Sequence, residues 1–270
     1  MSCRWRFSGI ISPMPGDPKP PDRLWKYRKW TDKAERMILH GELYFAKLDE
    51  LNDPFDFYWL EQFPTELEEI DRYSKSLCCH FTPDDSAEQL RRNYDSFREQ
   101  LIEISKRNCN GIVPSFMKFE YGVLCLSEVN DNLLMWSHYA DQHQGVCISI
   151  RPDCIPSNRI LPVHYCDDIP VIDAWNYIGR KGETFISASR SKSSHWKYEK
   201  EWRTVHHPGP HRFPGCVDQI VIGVRATAET RDSVLKAAMS AGNEITVYEA
   251  TKSDGRYSVT MHPLSSPRPK

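Results

Sequence analysis

Thirty residues, Tyr121 to Ile150, constrain the fold of this chain more than any other stretch. Val123, Leu124, Cys125 and Leu126 form a continuous apolar run that stops at Ser127-Glu128, as a buried strand does. Asn130-Asp131-Asn132 then supplies turn and helix-capping chemistry. A compact helix follows, carrying Met135, Trp136, His138 and Tyr139. Gly145 breaks the chain before Val146, Ile148 and Ile150 alternate as a second strand. Strand, short helix, strand is therefore the expected centre of the protein. The polar end of its first strand, faced by a Trp, a Tyr and two His, is a natural wall for a site.

Composition narrows the classes. The chain has 270 residues, of which 40% are apolar and 27% charged, the balance of an ordinary globular protein. A net charge of −2 gives it no global attraction to nucleic acid or anionic lipid. No run approaches the roughly 18 apolar residues that span a bilayer, and the prolines after Ile11 break any leader peptide, so a cytoplasmic location and no membrane partner are expected. The nine cysteines are scattered and include no Cys-x-x-Cys pair, so they are read as free thiols rather than a disulfide or zinc framework.

Along the chain, residues 1–22 read as a Pro-rich arm and 23–270 as a single α+β domain with a helical insertion at about 58–108. The expected elements are a strand from Leu24 to Arg28 and a helix from Thr31 or Asp32 to His40, stopped by Gly41. A strand from Leu43 to Ala46 and a turn at Asn52-Asp53-Pro54 come next. An acidic helix is expected from Tyr58 to Ile70. A longer one, from Ser86 to Arg107, has Leu90, Tyr94, Phe97, Leu101 and Ile104 on one face, and Asp85 with Glu88 or Ser86 with Gln89 as its capping box. Strands are expected at Ile160–Tyr165, His195–Val205, Ile220–Val224, Ile245–Tyr248 and Tyr257–Met261, with a helix from about Glu229 to Ser240.

Four polar clusters border these strands: Tyr27-Arg28, Asn52-Asp53, Ser127 with Trp136 to His143, and Glu199-Lys200-Glu201. His138 and His143 stand five apart, the wrong step for two ligands on one helical face, and no metal site is expected. On a strand, Glu199 and Glu201 would share a face, where two carboxylates repel unless a cation or ligand lies between them. No glycine-rich dinucleotide loop, phosphate loop, nucleophile elbow or zinc-protease helix occurs.

Together, Leu51-Asn52-Asp53-Pro54-Phe55, Cys125-Leu126-Ser127-Glu128, Leu134 to Ala140, His143-Gln144-Gly145 and Tyr198 to Arg203 resemble the bacterial family catalogued as domain of unknown function 2971, over about Leu24 to Met261. The order of elements also resembles the ADP-ribosyltransferase fold, a mixed domain built on a central, predominantly antiparallel sheet. That resemblance implies NAD as substrate, no metal, and an Arg-Ser-Glu triad of Arg28, Ser127 and Glu201. Its middle motif departs from the usual Ser-Thr-Ser, and Tyr27 rather than Arg28 is an alternative inward residue. The implied roles are Glu201 on the ribose and the developing positive charge, Ser127 holding Glu201 or the ribose in place, and Glu199 orienting the accepting nucleophile. Arg28 would grip the pyrophosphate, with Tyr27, Trp136, Tyr139 and His138 completing the cofactor pocket. The acceptor, protein or nucleic acid, is not specified, and a toxin or phage-defence role is an expectation from such families. Two rivals stand beside this one. The first is a metal-dependent nuclease or phosphodiesterase using Asp53, Glu199, Glu201 and His138 or His143. The second is a non-catalytic interaction domain in which the carboxylates pair with Arg203 or Arg28.

Overall fold

The computed structural model describes residues 17–81, 85–107, 121–155, 160–173 and 190–264. Most of the Pro-rich arm therefore lies outside the described residues. In chain order the elements are β1 (Leu24–Arg28), α1 (Asp32–His40), β2 (Glu42–Lys47), β3 (Leu60–Gln62), α2 (Leu67–Phe81), α3 (Ala87–Arg107), β4 (Gly122–Ser127), α4 (Leu133–Tyr139) and β5 (Val146–Ile150). Then follow β6 (Leu161–Pro162), β7 (His164–Cys166), β8 (Val171–Asp173), β9 (Ser191–Ser193), β10 (Glu201–His206), β11 (Gly209–Arg212), β12 (Gln219–Ile222), α5 (Ala228–Ser240), β13 (Thr246–Lys252) and β14 (Val259–Pro263). These elements fall into two compact units. Counting described residues only, one comprises 52–107 and 166–193, the other 17–51, 121–165 and 194–264.

In the first unit, α2 and α3 pack through Ile70, Tyr73 and Leu101, with Phe63, Leu77 and Ile102 around them. Arg98 donates to Asp71 across that pair. The expected box at the start of α3 forms between Ser86 and Gln89, whose side chains each accept from the other's backbone N–H. The expected helix from Tyr58 is not there. Leu60–Gln62 instead pairs in parallel with Val171–Asp173, more than a hundred residues away, and the helix begins only at Leu67, after Pro64 has interrupted the chain. Asn52-Asp53-Pro54 is the turn its chemistry implies: Asp53 Oδ1 and O accept from the Phe55 and Asp56 N–H groups.

The second unit is built on a mostly antiparallel, open sheet in the order β11-β2-β4-β1-β5-β12-β13-β14, with β10 attached to β4 and β6 to β10. The β12–β13 pair is parallel, which a crossover through α5 requires. Because paired residues share a face, the register sorts the side chains into two sets. Leu24, Leu126, Ile148, Ile150, Trp202 and Ile220 point into the larger core, with Ala34, Met37 and Ile38 of α1 and Val234 and Ala237 of α5. Trp25, Tyr27, Cys147 and Val221 point to the other face, where α4 lays Met135 and Trp136 over them.

β4 is the strand on which this layout turns. β10 pairs with it along its whole length, from Glu201↔Ser127 to His206↔Gly122. Its other edge is shared: β1 meets it at Ser127, and β2 meets it at Val123 and Gly122. β1 and β2 therefore meet that edge at its two ends, with a split between them. Lys26 reaches into the split and donates from Nζ to the Cys125 carbonyl at 2.8 Å.

Candidate functional site

The polar ends of β4 and β10 meet on the α4 side of the sheet. Ser127 closes β4, almost fully buried, and its hydroxyl donates to the Glu199 carbonyl at 2.6 Å while accepting from the Val129 N–H at 3.1 Å. Directly across the ladder stands Glu201, 4% exposed. Its carboxylate accepts two hydrogen bonds from Arg203, at 2.7 and 3.1 Å, and its backbone N–H donates to the Tyr165 hydroxyl. Glu199 is buried as well, and its Oε1 accepts from the Tyr139 hydroxyl at 2.6 Å.

The segment before β10 differs from the strand expected over His195–Val205. Ser194–Glu199 is a 3₁₀ turn and the strand starts at Glu201. Lys200, between the two carboxylates, has φ of 44°, a left-handed conformation that costs a lysine on the order of 1 kcal/mol. The parity argument for Glu199 and Glu201 therefore does not apply, because they do not lie on one strand. They still belong to one buried patch, Glu199 tied to Ser127 through its backbone and Glu201 facing Ser127 across the sheet.

α4 is held over this patch by its cap. Asn132 Oδ1 accepts from the Leu134 and Met135 N–H groups, and its Nδ2 donates to the Tyr198 carbonyl at 3.2 Å. Tyr139 thereby faces Glu199, while Trp136 is fully buried, donates to the Asn130 carbonyl and packs edge-on against Tyr27. No face of Trp136 is open to a ligand ring. His138 is exposed and meets Tyr198 and Trp196, with its Nδ1 3.3 Å from the Tyr198 hydroxyl. Tyr139 is the ring on a carboxylate, and His138, Trp196 and Tyr198 pack beside it in ring contacts.

The predicted residues do not all converge. Ser127, Glu199, Glu201, Tyr139 and Tyr27 share the α4 side. Arg28 points to the opposite face, where its Nη1 contacts Met37 Sδ at 3.8 Å, so of the two β1 candidates Tyr27 is the one on the Glu201 side. Burial lowers the Arg28 guanidinium from its ordinary value, and it contacts no carboxylate among the described residues. Lys26 is the residue that sequence reasoning passed over. Burial lowers its ammonium, Arg28 lowers it further, and the Cys125 thiol, Glu201 and Glu199 act in the opposite sense. Its signal was available, since Lys26 and Arg28 are i and i+2 on one strand. Tyr165 had no such signal. Among the described residues no cluster of three or more His, Cys, Asp or Glu side chains could hold a metal ion. None of the described helices is long and apolar enough to cross a membrane.

Residues 135–204 match a family described as "Protein of unknown function (DUF2971)". The matched segment is shorter than the Leu24 to Met261 span that the motifs suggest. It includes Tyr139, Glu199, Glu201 and Arg203, and leaves Lys26, Arg28 and Ser127 outside. No curated protein and no solved structure matches the chain.

Proposed function

We propose that the second unit carries an ADP-ribosyltransferase-like active site that cleaves the nicotinamide–ribose bond of NAD and passes ADP-ribose to an acceptor or to water. The observation that carries this reading is the cross-strand pair of Ser127 and Glu201, buried at the end of β4 and β10, with a second carboxylate, Glu199, fixed beside it by Tyr139. Leaving of nicotinamide creates an oxocarbenium-like sugar, and a preoriented carboxylate next to it stabilises that charge. Glu201 is preoriented: Arg203 holds both its oxygens and Tyr165 holds its backbone. Glu199, with one oxygen on a phenol, would orient the attacking group.

Lys26 and Arg28 lie on the face of β1 opposite to Tyr27 and Glu201, so the pyrophosphate grip implied for Arg28 is not part of this reading. Tyr139, Tyr198 and Trp196, rather than Trp136, are the rings available to a base. The test is release of nicotinamide from NAD by the wild type and by Glu201→Gln. The proposal expects the variant to lose roughly 100-fold or more, and a folded variant with undiminished rate would refute the role of Glu201.

One observation favours a second reading, a non-catalytic binding domain. Arg203 engages both oxygens of Glu201 from within, which is what a structural ion pair does. Absence of NAD binding and of nicotinamide release by the wild type would select it.

A further inference from the structure

A second cluster of reactive groups lies away from the carboxylates, where the chain leaves β5 and where it approaches β12, and it is independent of the NAD reading. Arg151 follows β5 directly. Its Nη2 donates to Cys154 Sγ at 3.1 Å and to the Gly215 carbonyl at 2.8 Å, while its Nε is buried without a hydrogen-bond partner among the described residues. No carboxylate contacts this guanidinium among the described residues. Cys154 is the first cause raising it, ahead of the more distant Asp153 and Asp218. The Cys154 sulfur is therefore the near counter-group of an incompletely satisfied cation.

A second thiol is pinned to the same place. The Cys216 carbonyl accepts from the Arg151 N–H at 2.8 Å, Cys154 N donates to the Arg151 carbonyl at 3.2 Å, and Cys154 Sγ lies 3.8 Å from the Gly215 carbonyl. The two thiols differ in access. Cys154 is half-buried, whereas Cys216 is fully buried, and burial together with Cys154 pushes its thiol up to about 12. Both are free thiols in the structure.

We propose that Cys154 and Cys216 form a redox pair, in which Cys154 is the thiol that meets a peroxide and Cys216 the thiol that resolves it. In the first step the Cys154 sulfur attacks a peroxide oxygen: the S–O bond forms, the O–O bond breaks, and hydroxide leaves with the thiol proton as water. In the second, the Cys216 sulfur attacks the Cys154 sulfenic acid: the S–S bond forms, the S–O bond breaks, and the Cys216 proton leaves with the hydroxide as a second water. Arg151 favours the first step by facing the sulfur with positive charge. The resulting bond would tie the turn after β5 to the loop before β12.

The experiment treats the full chain with hydrogen peroxide, blocks the remaining thiols and maps the peptides without reduction. A linked pair containing Cys154 and Cys216, reversed by dithiothreitol, is expected, forming before the exposed Cys79 is oxidised. Cys216→Ser should trap a dimedone-reactive sulfenic acid at Cys154. Arg151→Gln should slow the linkage roughly ten-fold. Oxidation of Cys79 ahead of Cys154, or linkage of either thiol to another cysteine, would overturn the proposal, and neither result depends on a variant that folds.

Discussion

At the residue scale, the key contrast is between a charge that is held and a charge that is available. Glu201 and Arg203 are both almost fully buried and joined by two hydrogen bonds. Removing one member of such a pair strands the other, which costs about 3 kcal/mol or more. Glu201→Gln should therefore lower the unfolding midpoint as well as activity. Glu201→Gln combined with Arg203→Met should recover much of the stability without recovering activity. Urea denaturation of both variants separates the structural effect from the catalytic one, and recovery of activity in the double variant would contradict the catalytic role. The parity of β1 made Lys26 and Arg28 readable as a same-face pair. Which face they take was not readable, because it depends on the register with β4 and β5.

At the scale of elements, the strand–helix–strand unit is as its sequence implies. α4 is bounded by the Asn132 cap, and β4 and β5 run as the apolar patterns indicate. Gly145 is needed at its position for a reason that only the fold reveals: a Cβ there would lie 2.2 Å from the Arg28 carbonyl. Gly145→Ala should cost about 3 kcal/mol or more, read as a lowered denaturation midpoint. Asn132→Ala removes two capping bonds and the tie to Tyr198, and should cost about 1–2 kcal/mol while loosening Tyr139 over Glu199. Two elements misled the sequence reading for one physical reason. The short β3 depends on a distant parallel partner, and the 3₁₀ turn at Ser194–Glu199 mimics strand alternation with Trp196 and Tyr198. Local pattern carries no information about either.

At the scale of the whole molecule, the α+β class was legible because amphipathic helices and apolar strands repeat through the chain, whereas the antiparallel character of the sheet was expected only from the fold resemblance. The split in the sheet was not, since it arises from two strands sharing one edge of β4. Histidines tie overall stability to pH. His206, against His211 and His207 with Phe45 packed on both His206 and His211, is lowered by burial first and then by its histidine neighbours. His143, stacked on Trp136, is lowered by burial and by Arg225. A histidine lowered in the folded state favours folding when neutral, so its contribution is present above the ordinary value of about 6.5 and is lost as pH falls through the lowered value. The melting temperature should accordingly drop between pH 7 and pH 5. Substituting Gln at both His143 and His206 should flatten that slope, and an unchanged slope would show that these two groups do not set it.

The central proposal is that Ser127, Glu199 and Glu201, on the α4 side of the sheet, border a site for NAD. Calorimetric titration of NAD into the full chain tests it most directly. Saturable binding is predicted for the wild type, and weaker binding for Glu201→Gln, which removes the carboxylate placed on the ribose. No binding heat from the wild type at millimolar NAD, at more than one temperature, would contradict the account.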